Sequence, residues 1–120
     1  MADLTLKNKN ALITGASGAI GGSIAKKLST LGANIIFTGT NKKKIDDLKK
    51  KLGPNSLGLC ADLSKDEEID NLYNEAIKRF KSVDILVNNA GINRDALSIR
   101  MKKFSTQSLE MALNISLTYT

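Results

Sequence analysis

The 120 residues contain no histidine, no tryptophan, one cysteine and one proline, with only two tyrosines and three phenylalanines. The lack of histidine removes the commonest general base and the usual companion of cysteine at metal sites, so Cys60 has no metal set and no catalytic pair to join. A lone cysteine also excludes an internal disulfide; inside the apolar run "LGLCADL" it reads as a small core residue in a reducing compartment. No apolar run approaches the roughly 18 residues that a membrane helix needs, and "MADLTLKNKN" has no signal-peptide core. The expected location is cytoplasmic, with no membrane partner.

What is present describes an ordinary globular domain. Hydrophobic residues make up 42% and charged residues 25%, a balance far from that of disordered or collagenous chains. A fold of this length supports one modest core and buries roughly two-thirds of its unfolded surface. The formal charge of +6 comes largely from "KKK" at 42–44 and again at 49–51, in one segment with Asp46 and Asp47. Asp46 with Lys50 and Asp47 with Lys51 are spaced to meet on a helix surface, so the run reads as a solvated helix face. No aromatic residues interleave the lysines, and nucleic acid is not an expected partner.

Along the chain, short β-rich runs alternate with amphipathic patterns. "ALIT" (11–14), "NIIFT" (34–38), "LGLCA" (57–61) and "VDILVN" (83–88) predict four strands. Between them, Ile20, Ile24, Leu28 and Leu31 form the stripe of a helix stopping at Gly32. Ile45, Leu48 and Leu52 mark a second helix that ends at Gly53 and Pro54. Ser64 and Glu67, at capping-box spacing, open a third helix whose buried face carries Ile69, Leu72, Tyr73, Ala76, Ile77 and Phe80. This order is the grammar of an α/β fold: a doubly wound parallel sheet with helices on both faces. A last apolar helical segment is expected from near Ser108, with Leu109, Ala112, Leu113 and Leu117. Nothing marks an internal domain boundary.

The stretch "TGASGAIG" (14–21) joins the first strand to the first helix. Such a turn gathers free backbone N–H groups and the positive end of a helix dipole, which suits a pyrophosphate, and glycines let the phosphate approach the backbone. A plain βα turn fits the same residues.

Together with "AD" (61–62) after the third strand and "NNAG" (88–91) after the fourth, this turn resembles the ordered signature of the short-chain dehydrogenase/reductases. The family's glycine motif falls on Thr14, Gly15, Ala19 and Gly21, with Ala19 where glycine is commoner. The resemblance implies a Rossmann-type fold in which residues 1–120 are the NADP-binding N-terminal portion of a single domain. It implies that Ser17 and Ile20 belong to the cofactor cradle, that Asp62 and Leu63 border the adenine, and that Asn88, Ala90 and Gly91 support the central strand and adenine ribose. Asp62 is equally placed to be the turn residue before a Ser64 cap, and "NNAG" to be a plain loop. Within the family, "DLTLKNKNALITGASG", "FTGTN" and "INRDALSIRM" (92–101) are similar to bacterial 3-oxoacyl-acyl-carrier-protein reductases of fatty-acid synthesis. That likeness implies acyl-carrier protein as a partner and a homo-oligomer, a tetramer in many relatives.

NAD sites of this architecture carry an acid about 20 residues past the glycine turn. Here the stretch reads "TGTNKKK", offering Thr38, Thr40, Asn41 and Lys42 in place of an acid, so NADP(H) is the expected cofactor. The family's chemistry is a serine that polarises the ketone, a tyrosine that donates a proton, a lysine four positions on that lowers the tyrosine's pKa, and an asparagine. Tyr73 is followed at that spacing by Ile77, and Tyr119 only by Thr120. At the asparagine position, alignment on Leu117 places Ser116; Asn114 takes it only if the alignment shifts. The expected picture is the cofactor half of a reductase, ending inside the helix that leads to the catalytic strand, inactive by itself and with its fourth strand an unpaired edge. A non-catalytic nucleotide-binding module and an interaction module that pairs with a second chain are the alternatives.

Overall fold

The computed structural model describes residues 5–89 and the backbone of residues 111–114. The elements run β1 (Asn10–Thr14), α1 (Ala19–Thr30), β2 (Asn34–Gly39), α2 (Lys42–Leu52), β3 (Ser56–Cys60), α3 (Asp66–Phe80), β4 (Ile85–Asn88) and β5 (Met111–Asn114). All strands pair in parallel in the order β3-β2-β1-β4-β5. The four expected strands and three helices lie within a residue or two of the positions read from the pattern.

Successive residues of β1 face opposite sides of the sheet, and both sides are covered, which is why the strands read as continuous apolar runs. Ala11, Ile13, Ile35 and Phe37 pack under α1 and α2 with Ala25, Ile45 and Leu48. Leu12, Ile36 and Leu86 pack on the other face under Ile69, Leu72, Tyr73 and Ala76 of α3. Phe37 and Leu12 are fully buried, and truncation to alanine costs about 3–5 kcal/mol at Phe37 and about 2–5 kcal/mol at Leu12 by the usual core penalty.

At the amino ends of the strands a polar clamp sets the register. Asn10 donates its backbone N–H to Asp84 Oδ2 at 2.8 Å and its side-chain amide to the Phe80 carbonyl at 3.0 Å, while Asn34 Nδ2 donates to Asn10 Oδ1 at 2.8 Å. At the end of α2, Lys49 reaches the carbonyls of Gly53 and Ser56 and the Ser56 hydroxyl. Burial, with the Arg79 guanidinium nearby, holds the Lys49 ammonium below the ordinary lysine range.

Several local expectations are corrected. Met111–Asn114 is a strand, not part of a helix, and pairs with Ile85–Asn88. It satisfies the N–H and C=O groups of the β4 edge, which is therefore paired. Ser64 does not cap α3: the N-cap is Lys65, with no side-chain cap bond. The Ser64 N–H and hydroxyl both donate to Asp62 Oδ1, at 3.0 and 2.6 Å, because a charged carboxylate two residues back outcompetes a helical role. On α2, Asp46 pairs with Lys42 at 3.6 Å instead of Lys50. Cys60 is exposed, not core, and its thiol donates to the Thr40 carbonyl at 3.4 Å. Ile20 leaves the expected apolar stripe and is 42% exposed, because the first turn of α1 projects past the end of the sheet.

Candidate nucleotide-binding site

β1 lies between β2 and β4, so the chain reverses its direction of travel across the sheet at β1, and the carboxyl ends of these strands form the crevice where open α/β sheets take ligands. The crevice is shaped first by Gly15. Its φ of +67° lies in the left-handed region, where a Cβ is strained. The turn is then pinned by the Ala16 N–H, which donates to the Thr38 carbonyl at 2.8 Å, and by the Gly18 N–H, which donates to the Gly15 carbonyl at 3.3 Å.

Gly21 brings α1 down on this turn. A Cβ there would lie 2.4 Å from the Gly15 carbonyl oxygen and 2.9 Å from both Ala16 Cα and Asn89 Nδ2. Gly39 does the same for the end of β2, where a Cβ would sit 2.6 Å from Ser17 Oγ. From below, Thr14 holds the fourth strand: its hydroxyl donates to Asn88 Oδ1 and accepts from the Asn89 N–H, both at 2.9 Å.

These contacts enclose a cavity of about 240 Å³. Gly15 and Ser17 form one wall, Thr38, Gly39 and Thr40 a second, Ala61, Asp62 and Leu63 a third, and Asn89 closes it. Two of its polar groups indicate what it can hold. Thr38 Oγ1 is buried, in a residue only 1% exposed, and has no hydrogen-bond partner among the described residues. Buried hydroxyls are nearly always paired, so this one lacks an acceptor or donor that a ligand can bring. Asp62 has its carboxyl held below the ordinary aspartate range, first by the Ser64 hydroxyl and then by the Ser64 N–H. It stays ionised and is a pure acceptor, suited to an amino group. Its own N–H donates to the Glu68 carboxylate at 2.8 Å, which fixes the loop.

A second cavity, about 320 Å³, lies between α1 and α2 and shares Ser17 with the first. Neither helix has an acid in its first turn. Asn41 is the N-cap of α2, its Oδ1 accepting from the Lys44 N–H at 3.1 Å.

Of the residues expected to hold a cofactor, the structure brings Gly15, Ser17, Thr38, Thr40, Asp62 and Leu63 to the first cavity. Thr14, Gly21 and Asn88 stand behind it as supports. Ala19 lines the second cavity, and Ile20 offers an exposed apolar side chain at the start of α1. Asn41 is exposed and occupied as a helix cap. Asp62 is the acceptor of a turn from Ser64, which is not the helix cap, and it also lines the first cavity. Ala90, Gly91 and Ser116 lie outside the described residues; Asn114 ends β5 in register with Asn88. Gly39, Ala61 and Asn89 were missed, though Asn89 stands within "NNAG" and Gly39 within "FTGTN". The cradle fits a dinucleotide on these grounds: positions that no Cβ can occupy, an unpaired buried hydroxyl, and an ionised acceptor across the same cavity.

Among the described residues, no group of three His, Cys, Asp or Glu side chains could hold a metal ion, and no helix is long and apolar enough to cross a membrane.

Comparison with known proteins agrees with this geometry. Residues 9–119 match the family model described as short chain dehydrogenase. The chain is 40% identical over 114 residues to the 3-oxoacyl-[acyl-carrier-protein] reductase FabG of Rickettsia bellii, covering 95% of this chain and 44% of that protein. With its counterpart in Rickettsia conorii it shares 47% identity over 102 residues, covering 85% and 40%. Among solved structures it resembles the 3-ketoacyl-(acyl-carrier-protein) reductase of Brucella melitensis complexed with NADH. The TM-score is 0.71 at 38% identity, over 73% of this chain and 36% of that one. It also resembles a hydroxysteroid dehydrogenase from Escherichia coli, with a TM-score of 0.73 at 27% identity, over 84% and 50%. The chain thus spans less than half the length of these curated relatives. With the glycine cradle and parallel sheet in place, the match over residues 9–119 assigns the chain to the short-chain dehydrogenase family.

Proposed function

We propose that this chain is the cofactor-binding half of an NADPH-dependent 3-oxoacyl-acyl-carrier-protein reductase. The observation that carries the reading is the cavity at the carboxyl ends of the strands, with the buried Thr38 hydroxyl, unpartnered among the described residues, on one wall and the Asp62 carboxylate on another. When bound, the dinucleotide supplies a hydride for the C3 ketone of an acyl chain carried on its protein. The backbone N–H groups at the amino end of α1 receive the pyrophosphate, while the Ala16 and Gly18 N–H groups stay bonded within the turn and hold its shape. Asp62 accepts from the adenine amino group, and Thr14 keeps the turn and β4 in one rigid frame.

Two features favour NADPH over NADH. No acid stands at the end of β2, where Gly39, Thr40 and Asn41 offer no carboxylate to bind a free ribose diol or to repel a 2′-phosphate. The first turn of α2 then carries Lys42, Lys43 and Lys44, positive charge at the positive end of a helix, which an anion nearby would relieve. The Brucella relative was crystallised with NADH, so the two cofactors need direct comparison.

The 120 residues contain no tyrosine with a lysine four positions later. In this reading, proton donation to the ketone, docking of acyl-carrier protein and tetramer formation belong to residues outside them, and the chain alone binds NADPH without turning it over. The test is to titrate the chain with NADPH and NADH and then add a 3-oxoacyl thioester. Saturable binding that favours NADPH, with no ketone-dependent loss of absorbance, supports the reading; failure to bind either dinucleotide contradicts it.

A further inference from the structure

The third wall of the first cavity is the loop from β3 to α3, and the start of α3 reaches back to hold it. In a capping box, the acid at the third helical position accepts from the N–H of the N-cap residue. Here Glu68 has that position and Lys65 is the N-cap, but the Lys65 N–H donates to the Asp62 carbonyl at 3.2 Å. Glu68 Oε1 instead passes the N-cap and accepts from the Asp62 N–H at 2.8 Å. Both backbone polar groups of Asp62 are thus bound to the beginning of α3, and the shorter of the two bonds is the charge-assisted one.

This bond does what the Ser64 contacts cannot. Ser64 donates its N–H and hydroxyl to Asp62 Oδ1, which orients the carboxylate within its own loop, a piece of chain that moves as one. Glu68 ties that loop to the body of the fold. It is half-buried and directly precedes Ile69, which with Leu72 packs against Leu12 and Ile36 of the sheet. Its other oxygen stands 4.0 Å from the exposed Lys65 ammonium, a surface pair that contributes little. On the opposite side of the loop, the Ala61 N–H donates to the Gly39 carbonyl at 3.0 Å. Asp62 is therefore suspended between the sheet and α3, and Glu68 is the side chain that sets the α3 end.

We infer that Glu68 is a positioning residue for base recognition: by holding the Asp62 N–H it fixes where the Asp62 carboxylate meets the nucleotide base, and so sets how strongly the site prefers an amino group at that edge to a carbonyl. Glu68 lines neither of the two described cavities and acts through Asp62. This inference rests on the dinucleotide reading above and adds the group that makes its adenine contact selective. A carboxylate discriminates because it only accepts. The adenine amino group donates to it, whereas the carbonyl oxygen that replaces this group in hypoxanthine repels it. Discrimination needs the carboxylate at hydrogen-bond distance, and a loop free to slide gives that up.

The experiment measures Kd for NADPH and for its counterpart with hypoxanthine in place of adenine. It uses the full chain, Glu68→Ala, Glu68→Gln, which keeps an acceptor, and Glu67→Ala, which removes an exposed acid from the same helical turn. The parent is expected to prefer the adenine form about tenfold or more, the scale of one hydrogen bond to a charged group. Glu68→Ala should reduce that preference to about threefold or less as the hydrogen-bond geometry lapses, and Glu68→Gln should keep most of it. Glu67→Ala costs the helix a favourable first-turn charge just as Glu68→Ala does, and should leave the preference within about twofold of the parent. The ratio decides, because a loss of helix stability alone weakens both dinucleotides together. A parent-like ratio in Glu68→Ala overturns the inference and leaves the dinucleotide reading in place. A parent that binds both forms equally removes Asp62 as the reader of the base, and the inference with it; a parent that binds neither overturns the dinucleotide reading as well.

Discussion

Thr14 at the end of β1 donates its hydroxyl proton to Asn88 Oδ1 at the end of β4, across 2.9 Å and in a fully buried setting. The same hydroxyl accepts from the Asn89 N–H at 2.9 Å, so one oxygen ties the glycine turn to the strand on the far side of the crevice. Thr14→Val keeps the shape and leaves both partners unsatisfied. The expected loss is about 2–3 kcal/mol, measurable by urea unfolding, together with weaker dinucleotide binding as Asn89 loses its anchor.

Gly21 and Gly18 separate a close approach from a permissive position in the same motif. A Cβ at Gly21 meets backbone at 2.4 and 2.9 Å, whereas at Gly18 the nearest atom is 3.6 Å away. Gly21→Ala is expected to push α1 off the turn, lower stability by about 2 kcal/mol or more, in the range of overpacked sites, and abolish binding. Gly18→Ala, at an N-cap with negative φ, should cost no more than about 1 kcal/mol and keep binding measurable.

Thr38 should show opposite effects on stability and on binding. Replacing its unpartnered buried hydroxyl by a methyl group in Thr38→Val removes an unmet polar group, so the ligand-free chain should gain about 1 kcal/mol. Binding of NADPH should weaken at the same time. A thermal-shift series with and without dinucleotide reads both: higher Tm alone, smaller ligand-induced rise. A variant that loses stability and keeps its affinity would mean that the hydroxyl serves only the fold.

Asp62 gives a pH signature. Its carboxyl binds a proton less tightly in the folded chain than in the unfolded one, because the Ser64 hydroxyl and N–H hold the ionised form. It therefore stabilises the fold above the ordinary aspartate range, and this contribution is lost as pH falls through its depressed folded value. Asp62→Asn should flatten the acid limb of the stability curve below about pH 4. It should also weaken adenine nucleotides near neutrality. An unchanged acid limb would sever the link between the turn and its charge.

The α/β order was legible because β1, β2 and β4 are buried on two faces and the helices on one, and these produce different periods along the chain. The glycine turn was legible for a similar reason: Gly15 and Gly21 meet constraints that exclude other residues, so composition itself carries the geometry. Partners chosen among near-equivalent groups were not legible. Glu67 and Glu68 are adjacent acids, and only the fold brings Glu68 back to the Asp62 N–H. Asp46 had lysines four positions away on both sides and took Lys42. The pairing of Met111–Asn114 with β4 depends on a vacant strand edge distant in sequence, which an apolar periodicity cannot report. Gly39 and Asn89 became site residues only when the ends of β1, β2 and β4 were set side by side.

Calorimetric titration of the folded chain with NADPH reads whether these residues form a working dinucleotide cradle. Saturable binding at one site per chain is expected, weakened by Thr38→Val and abolished by Gly21→Ala. A chain that is folded by circular dichroism and takes up no NADPH would contradict it.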